Sequence, residues 1–433
     1  MTMPAPELRD TLRIALGLSL HERACAIVRG VLVAAALITP AAANVITDWD
    51  ANGVPLAGPG AAGEREMAIM HLAMFDAVNA IERRFRPYLV EADAPATASE
   101  DAAAAAAAAA VMAALHPQAA AEIKAALATS LAAVPNGDVK SGGVKLGEAV
   151  AAKTLAARAN DGSNAADSYR PKTSPGVYVP TASVMVGSAW PKMTPFAIPE
   201  ASYFRPAPPI PLQSKEWATD YNEIKDLGGK SSAKRTPQQT ETAKFWLMVG
   251  PPAYHPVARQ IALARGMSVA DSARFMALYS AALTDAYIAV FDAKYHYEFW
   301  RPVTAIRNGD IDSNPDTASD PTWQPIDATP MHPEYPCAHC IESGAALAVI
   351  EATLGSANIP EVTLTSSTAP GVTHRWTNIE AFASEIAEAR ICAGFHYRFS
   401  TRVGAEMGRK IGAYVAANIL QPIDAAGAEP GQR

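Results

Sequence analysis

The chain has 433 residues, 49% of them hydrophobic and 18% charged, which suits a protein with a sizeable core and argues against wholesale disorder. Its net charge of −7 speaks against nucleic acid as a partner, because such proteins usually carry a basic stripe. The 34 Pro and 27 Gly are scattered rather than periodic, which excludes collagen, and four Cys are too few for a disulfide-stapled miniprotein.

Residues 1–43 read as an export signal. Arg23 and Arg29 flank an apolar run from Gly30 to Ala43, and Ala41, Ala42 and Ala43 offer a small-residue cleavage site before Asn44. The run is short for a spanning helix, which needs about 20 residues, and no later segment reads as a membrane span. A periplasmic or secreted protein without stable membrane insertion is therefore expected, an uncleaved anchor being the alternative.

Residues 44–159 read as an N-terminal helical region. Ile69, Ala73, Val78 and Ile81 recur at helical spacing, Pro87 ends the run, and His71 and Asp76 within it read as core or cap hydrogen-bonding groups. Residues 102–132 and 139–158 predict two alanine-rich helices split by Val134-Pro135-Asn136-Gly137. Residues 160–215 are rich in Pro, Gly, Ser and Asn and predict a long ordered connection draped over the helices. Helices resume across 216–425, near Ser214, at Pro237, over 256–292, 340–355, 378–393 and 402–419. Strand patterns are scarce, so the fold class expected is all-α.

Three segments of that last region carry unusual chemistry. In Lys294-Tyr-His-Tyr-Glu-Phe-Trp-Arg301-Pro302 two cations seven residues apart would share one helix face, about 10 Å apart along the axis. Arg supplies a rigid fork of donors and Lys a point charge, a pairing suited to a tetrahedral oxyanion. In His332-Pro-Glu-Tyr-Pro336-Cys337-Ala338-His339-Cys340 the proline halts any preceding helix, so Cys337, Ala338 and His339 should open the next one. The unpaired N–H groups and positive dipole end there attract anions. In Arg390-Ile-Cys-Ala-Gly394-Phe-His396 a helix runs into a glycine break that would project Arg390 and His396 together. Taken singly, each cation reads equally as a solvated surface group and each histidine as a core or capping one.

In this order the three segments resemble the vanadium-dependent haloperoxidase and type 2 phosphatidic acid phosphatase superfamily, whose pattern is Lys-x6-Arg-Pro, Pro-Ser-Gly-His and Ser-Arg-x5-His. The resemblance covers Lys294 to Ser400 in detail, and KYHYEFWRP looks like the haloperoxidase version in particular. It implies an all-α helical bundle of the haloperoxidase and acid phosphatase type, with a vanadate cofactor. Lys294, Arg301 and Arg390, with Cys337 and the backbone of Ala338, would bind the oxyanion. His339 would be the acid–base residue, His396 would bond vanadium, and Lys294 would polarise bound peroxide. Peroxide and halide would be the small-molecule substrates. The alternatives are a phosphatase that forms a phosphohistidine at His396 without vanadate, and a non-catalytic anion-binding relative. Homo-oligomerisation is left open.

Two departures from the family pattern stand out. Cys337 replaces a hydroxyl donor with a weaker thiol donor that peroxide can oxidise. Ser400 stands where haloperoxidases often place an Asp after the histidine, which puts the support of His396 in question. Cys337-x-x-Cys340 also reads alone as a redox pair, and a disulfide between these two, or from Cys392 to either, is left open. His332 and His374 are candidates for the cleft rim, while His296 should point elsewhere. Cys337, His339 and Cys340 are too close together for a usual zinc set.

Overall fold

The structure, a computed structural model, describes residues 44–95, 97–181 and 185–423. The expected export signal lies outside them. The first helix, α1 (Val45–Ala57), is capped by Asn44, whose side-chain oxygen accepts from Ile46 N at 3.0 Å while its amide donates to Met267 O and Ser272 Oγ. Helix α2 (Ala61–Glu82) is buried along most of its length. It stops before Pro87, because Arg83 turns into the left-handed region (φ 53°) and Asn79 hydrogen-bonds Phe85 through both its N–H and its carbonyl. Asp76 then takes the N–H groups of Tyr88, Leu89 and Val90, the capping role read from the sequence.

The alanine-rich stretch expected as one helix over 102–132 is two, α3 (Glu100–Leu115) and α4 (Ala120–Ala132), separated at His116-Pro117. A proline cannot donate to the preceding turn and clashes with it. Helix α5 (Asp138–Arg158) packs on α3. The following connection is held by buried carboxylates: Asp285 accepts from the N–H groups of Phe196, Ala197 and Ile198 at 2.6–2.9 Å, and Asp292 takes a two-pronged fork from Arg205.

The second half contains α6 (Lys215–Gly228), α7 (Pro237–Phe245), α8 (Pro251–Ala264), α9 (Val269–Tyr297), α10 (Pro302–Arg307) and α11 (Ala338–Leu354). An antiparallel hairpin follows, β1 (Asn358–Ser366) and β2 (Ala369–Asn378), with Val362 opposite Trp376 and Leu364 opposite His374. Then come α12 (Ile379–Cys392) and α13 (Arg398–Asn418). The fold is all-α with this one hairpin as its sheet among the described residues. One correction concerns α9, which is long and apolar enough to cross a membrane; its apolar window is wholly buried in the protein. It is the central core helix, packing against α2, α11 and α13.

One helix crossing positions the site, and a buried polar knot ties the first helices to α8. Helices α11 and α13 cross at backbone contact: a Cβ on Gly408 would lie 2.0 Å from Ile341 O, and one on Gly404 2.6 Å from Cys337 O. The crossing seats the first turn of α11. In that knot, Asp50 of α1 accepts from His71 Nε2 of α2 at 3.1 Å, His255 Nδ1 of α8 at 2.6 Å and Arg259 Nη1 at 2.6 Å. The second His255 nitrogen donates to Glu64 Oε2 at 3.1 Å. Burial alone would lower the His255 pKa, but the two flanking carboxylates push it up to about 10. Asp50, His71 and His255 hold ligand-type atoms within 4.8 Å of one another. The His255 imidazolium and Arg259 already supply the positive charge that this cluster needs.

Candidate active site

The site forms where the last turn of α9, the loop before α11, the first turn of α11 and the junction of α12 with α13 converge. Lys294 and Arg301 do not share a helix face as expected. Helix α9 ends at Tyr297, Glu298 reverses the chain in the left-handed region (φ 49°), and Arg301 caps the next helix, α10. The reversal is held by the proline-rich connection, through Tyr178 N to Glu298 O at 2.6 Å and Trp300 N to Gly176 O at 3.0 Å. The two cations still meet, both fully buried, while Phe299 and Trp300 pack into an aromatic cluster beside them. They are therefore not a solvated face.

Each cation is tied to backbone carbonyls. Lys294 Nζ donates to Pro333 O at 3.0 Å and Glu334 O at 2.7 Å. Arg301 donates from Nε to His332 O at 2.9 Å and from Nη1 to Phe395 O at 3.0 Å. Arg390, in the last turn of α12, donates from Nη1 to Trp246 O at 2.6 Å, while its buried Nε has no partner. Burial lowers the pKa of all three, Arg301 to about 10 and Lys294 well below its usual value, with Arg301 adding to the lowering at Lys294.

The imidazoles are oriented by their neighbours. Arg301 Nη1 lies 3.3 Å from His396 Nε2. A guanidinium can only donate, so Nε2 accepts and the hydrogen of His396 sits on Nδ1, which faces Glu334 Oε1 at 2.8 Å. His332 Nδ1 lies between Arg301 Nη2 at 3.0 Å and Pro333 O at 3.1 Å. His339 donates from Nε2 to Met248 O at 3.0 Å, leaving Nδ1 as an acceptor. Burial drives the pKa of all three histidines well below the usual imidazole range, and the surrounding cations add to it.

Cys337 is the N-cap of α11, and its Sγ accepts from Cys340 N at 3.3 Å. Ala338 and His339 are thus the first two helical residues, whose N–H groups have no intrahelical acceptor. A cavity of about 240 Å³ opens on this turn, lined by Tyr287, His332, Ala338, His339, Arg390 and His396 among others. Larger clefts of about 500 and 550 Å³ lie elsewhere and carry no imidazole.

Lys294, Arg301, His339, Arg390 and His396 are thus drawn together from three distant stretches, with Cys337 and Ala338 at the helix start. His332 joins the rim. His374 does not: it sits on β2, bonded to Glu385 Oε1 at 2.6 Å and stacked on Phe245. His296 is exposed and faces away. The doubt raised by Ser400 is answered by a residue to which the sequence reading gave no role. Glu334 supplies the carboxylate behind His396, and its pKa rises to about 7 because burial outweighs Lys294 and Arg301. Ser400 Oγ lies beside it without completing a hydrogen bond. Glu334 is the one acid in the His332–Cys340 segment, a signal that was visible but unassigned. Cys337, Cys340 and Cys392 are all free thiols.

Residues 274–425 match the family of the vanadium chloroperoxidase (VCPO) second helical-bundle domain. The vanadium chloroperoxidase of Curvularia inaequalis is 31% identical over 146 residues, a match covering 28% of this chain and 23% of that protein. A bacterial vanadium-dependent iodoperoxidase structure superposes with a TM-score of 0.74 at 21% identity, covering 88% of this chain and 96% of its own. An apo bacterial vanadium-dependent chloroperoxidase gives 0.67 at 17%, covering 82% and 91%. These last two establish the fold. Residues 274–425, which hold all three segments, thus resemble the second helical-bundle domain of the vanadium chloroperoxidases, within the vanadium-dependent haloperoxidase and type 2 phosphatidic acid phosphatase superfamily.

Proposed function

We propose that the protein is a vanadate-dependent haloperoxidase that uses hydrogen peroxide to oxidise halide. The observation that carries this reading is the His396 arrangement: Nδ1 pinned on Glu334 Oε1 at 2.8 Å, with the Nε2 lone pair among three buried cations. The residues fit vanadate. Arg390 Nε is a buried donor with no partner, Lys294 spends two of its three ammonium protons on carbonyls, and the first N–H groups of α11 face the same space. Such a concentration of donors needs an anion to offset its burial.

Arg301, Arg390 and Lys294, with the N–H of Ala338, would neutralise the oxygens, and His396 Nε2 would be the protein's ligand to vanadium. Cys337 takes the place of a hydroxyl donor. Bound vanadate would supply activation of peroxide for a two-electron oxidation of halide. His339, held neutral and hydrogen-bonded to Met248 O through Nε2, keeps Nδ1 free to take the proton peroxide must lose. Glu334 fixes the tautomer of His396 and, once ionised, strengthens its donation.

Phosphomonoester hydrolysis in the same cavity is the second reading. Cys337 favours it, since a thiol at the oxyanion cradle is vulnerable to peroxide but tolerable in phosphoryl transfer. Export is part of the proposal as well: cleavage after Ala43 would leave the Asn44 cap of α1 intact, and sequencing the N-terminus of secreted material would find Asn44 first.

Purified protein assayed with vanadate, peroxide and bromide should halogenate a dimedone-type acceptor. Hydrolysis of p-nitrophenyl phosphate without halogenation would shift the assignment to the phosphatase. Silence in both, with retained phosphate binding, would leave only an anion-binding protein. His396→Ala should abolish activity in either enzymatic case, and full activity in that variant would reject the site.

A further inference from the structure

We propose that Cys337 and Cys340 are a peroxide-driven thiol–disulfide switch built into the oxyanion cradle, open when reduced and closed when oxidised. The two thiols occupy the N-cap and third position of α11, and Cys337 Sγ already sits over the Cys340 amide at 3.3 Å. Both are buried and free. The two residues between them, Ala338 and His339, line the cavity, so the pair brackets the turn that would receive the anion. Capping does not explain the choice of residue: Ser, Thr, Asp and Asn cap better, and sulfur is a weak acceptor.

The electrostatics divide the labour between the two sulfurs. Burial would raise the Cys337 pKa, but the Cys340 thiol, Arg390 and Lys294 together hold it below the usual thiol value. The Cys340 pKa is raised well above that value by burial and by its neighbour. Cys337 Sγ also sits at the positive end of α11 and accepts the Cys340 N–H, a position that favours its thiolate, so Cys337 is the nucleophile and Cys340 the resolving thiol. Cys392 lies apart, in a small cluster with Ala243 and Phe395, and burial pushes its thiol up to about 11.

The chemistry balances with hydrogen peroxide as oxidant. The Cys337 thiolate attacks one peroxide oxygen, so an S–O bond forms, the O–O bond breaks, and the departing hydroxide takes a proton to become water. The resulting sulfenic acid is attacked by Cys340. An S–S bond forms, the S–O bond breaks, and the Cys340 proton leaves with the oxygen as a second water. Two thiols lose two electrons and one peroxide gains them. The disulfide draws Cys337 Sγ off the Cys340 amide and re-forms the first turn of α11, which weakens anion binding there. Conversely, an anion already seated over that turn shields Cys337. Only this shielding rests on the oxyanion reading proposed above; the disulfide does not.

The test uses the full reduced chain, freed of reductant and titrated with hydrogen peroxide. Two thiols should be lost, and peptide mapping should find Cys337 joined to Cys340, with Cys392 still free and dithiothreitol restoring the pair. In Cys340→Ser, a dimedone adduct should accumulate at Cys337. Wild-type protein that keeps both thiols through the titration, or that loses Cys392 first, overturns the proposal. A dimedone adduct at Cys340 in Cys337→Ser, formed as fast as wild-type oxidation, overturns the assignment of the nucleophile. Millimolar inorganic phosphate should slow oxidation at least about tenfold. If the disulfide forms at an unchanged rate in phosphate, the switch stands and the oxyanion reading of the cavity falls instead.

Discussion

In the proposed site, Glu334 is the single residue that orients His396. Its Oε1 accepts from His396 Nδ1 and, at 3.2 Å, from Tyr397 N, so it fixes both the tautomer and the chain around the imidazole. Glu334→Gln keeps the shape but replaces an anionic acceptor with a neutral amide beside Lys294 and Arg301. The support behind a metal-ligating histidine is worth about 10- to 100-fold in affinity. Vanadate titration of the variant should show a loss of that size with little change in melting temperature. Unchanged vanadate affinity would mean that Glu334 merely balances charge. The residues that were legible in the sequence are those whose spacing is dictated by local structure. Cys337 to His339 open a helix because Pro336 precedes them, and Arg390 and His396 flank a glycine break. Glu334 was not legible as a partner, because it reaches His396 across 62 residues of chain and nothing in the local pattern fixes that contact.

At the scale of elements, periodic apolar runs gave the helices, and proline and alternation accounted for the misses. Alanine favours helix on both sides of Pro117, so composition alone does not reveal the split between α3 and α4. The hairpin Asn358–Asn378 leaves little trace in the sequence, because its strands alternate only weakly between dominant helices. Lys294 and Arg301 were placed on one helix because seven residues make nearly two turns. The left-handed Glu298 breaks that helix, and tertiary packing of the connection brings the pair together instead. The same packing logic governs the floor of the site. Helix α13 approaches α11 through Gly408, where a Cβ would sit 2.0 Å from Ile341 O, a backbone atom that cannot rotate away. Gly408→Ala should therefore push the two helices apart, costing about 1–3 kcal/mol and displacing the first turn of α11. Denaturant unfolding should read the stability loss. Phosphate titration should read weaker binding although no anion-facing atom has changed. A Gly408→Ala protein with wild-type stability would show that the crossing is looser than described.

For the molecule as a whole, the second half gathers the cations of the candidate site, and a charge-balanced knot ties that half to the first. Asp50 on α1, Glu64 and His71 on α2, and His255 and Arg259 on α8 meet in the core, with Tyr279 of α9 edge-on to the His255 ring. His255 donates one ring N–H to each carboxylate, from Nδ1 to Asp50 and from Nε2 to Glu64, and its folded pKa of about 10 lies above the ordinary imidazole value of 6.5. A group whose pKa rises on folding stabilises fully below its unfolded value. That contribution is lost as pH climbs from 6.5 through about 10. His71 works in the opposite sense: burial lowers its pKa, so the folded state resists its protonation and stability falls as pH drops below 6.5. Stability should therefore be greatest near neutrality, with an alkaline slope that belongs to His255. His255→Gln keeps donors for the carboxylates but removes the charge; Asp50 retains Arg259, whereas buried Glu64 loses its counter-ion, a loss that costs about 3–5 kcal/mol. At pH 7 the variant should melt well below the wild type, and between pH 7 and pH 10 its melting temperature should fall less steeply. The same alkaline slope in both proteins would place the proton elsewhere and undo the account of the knot.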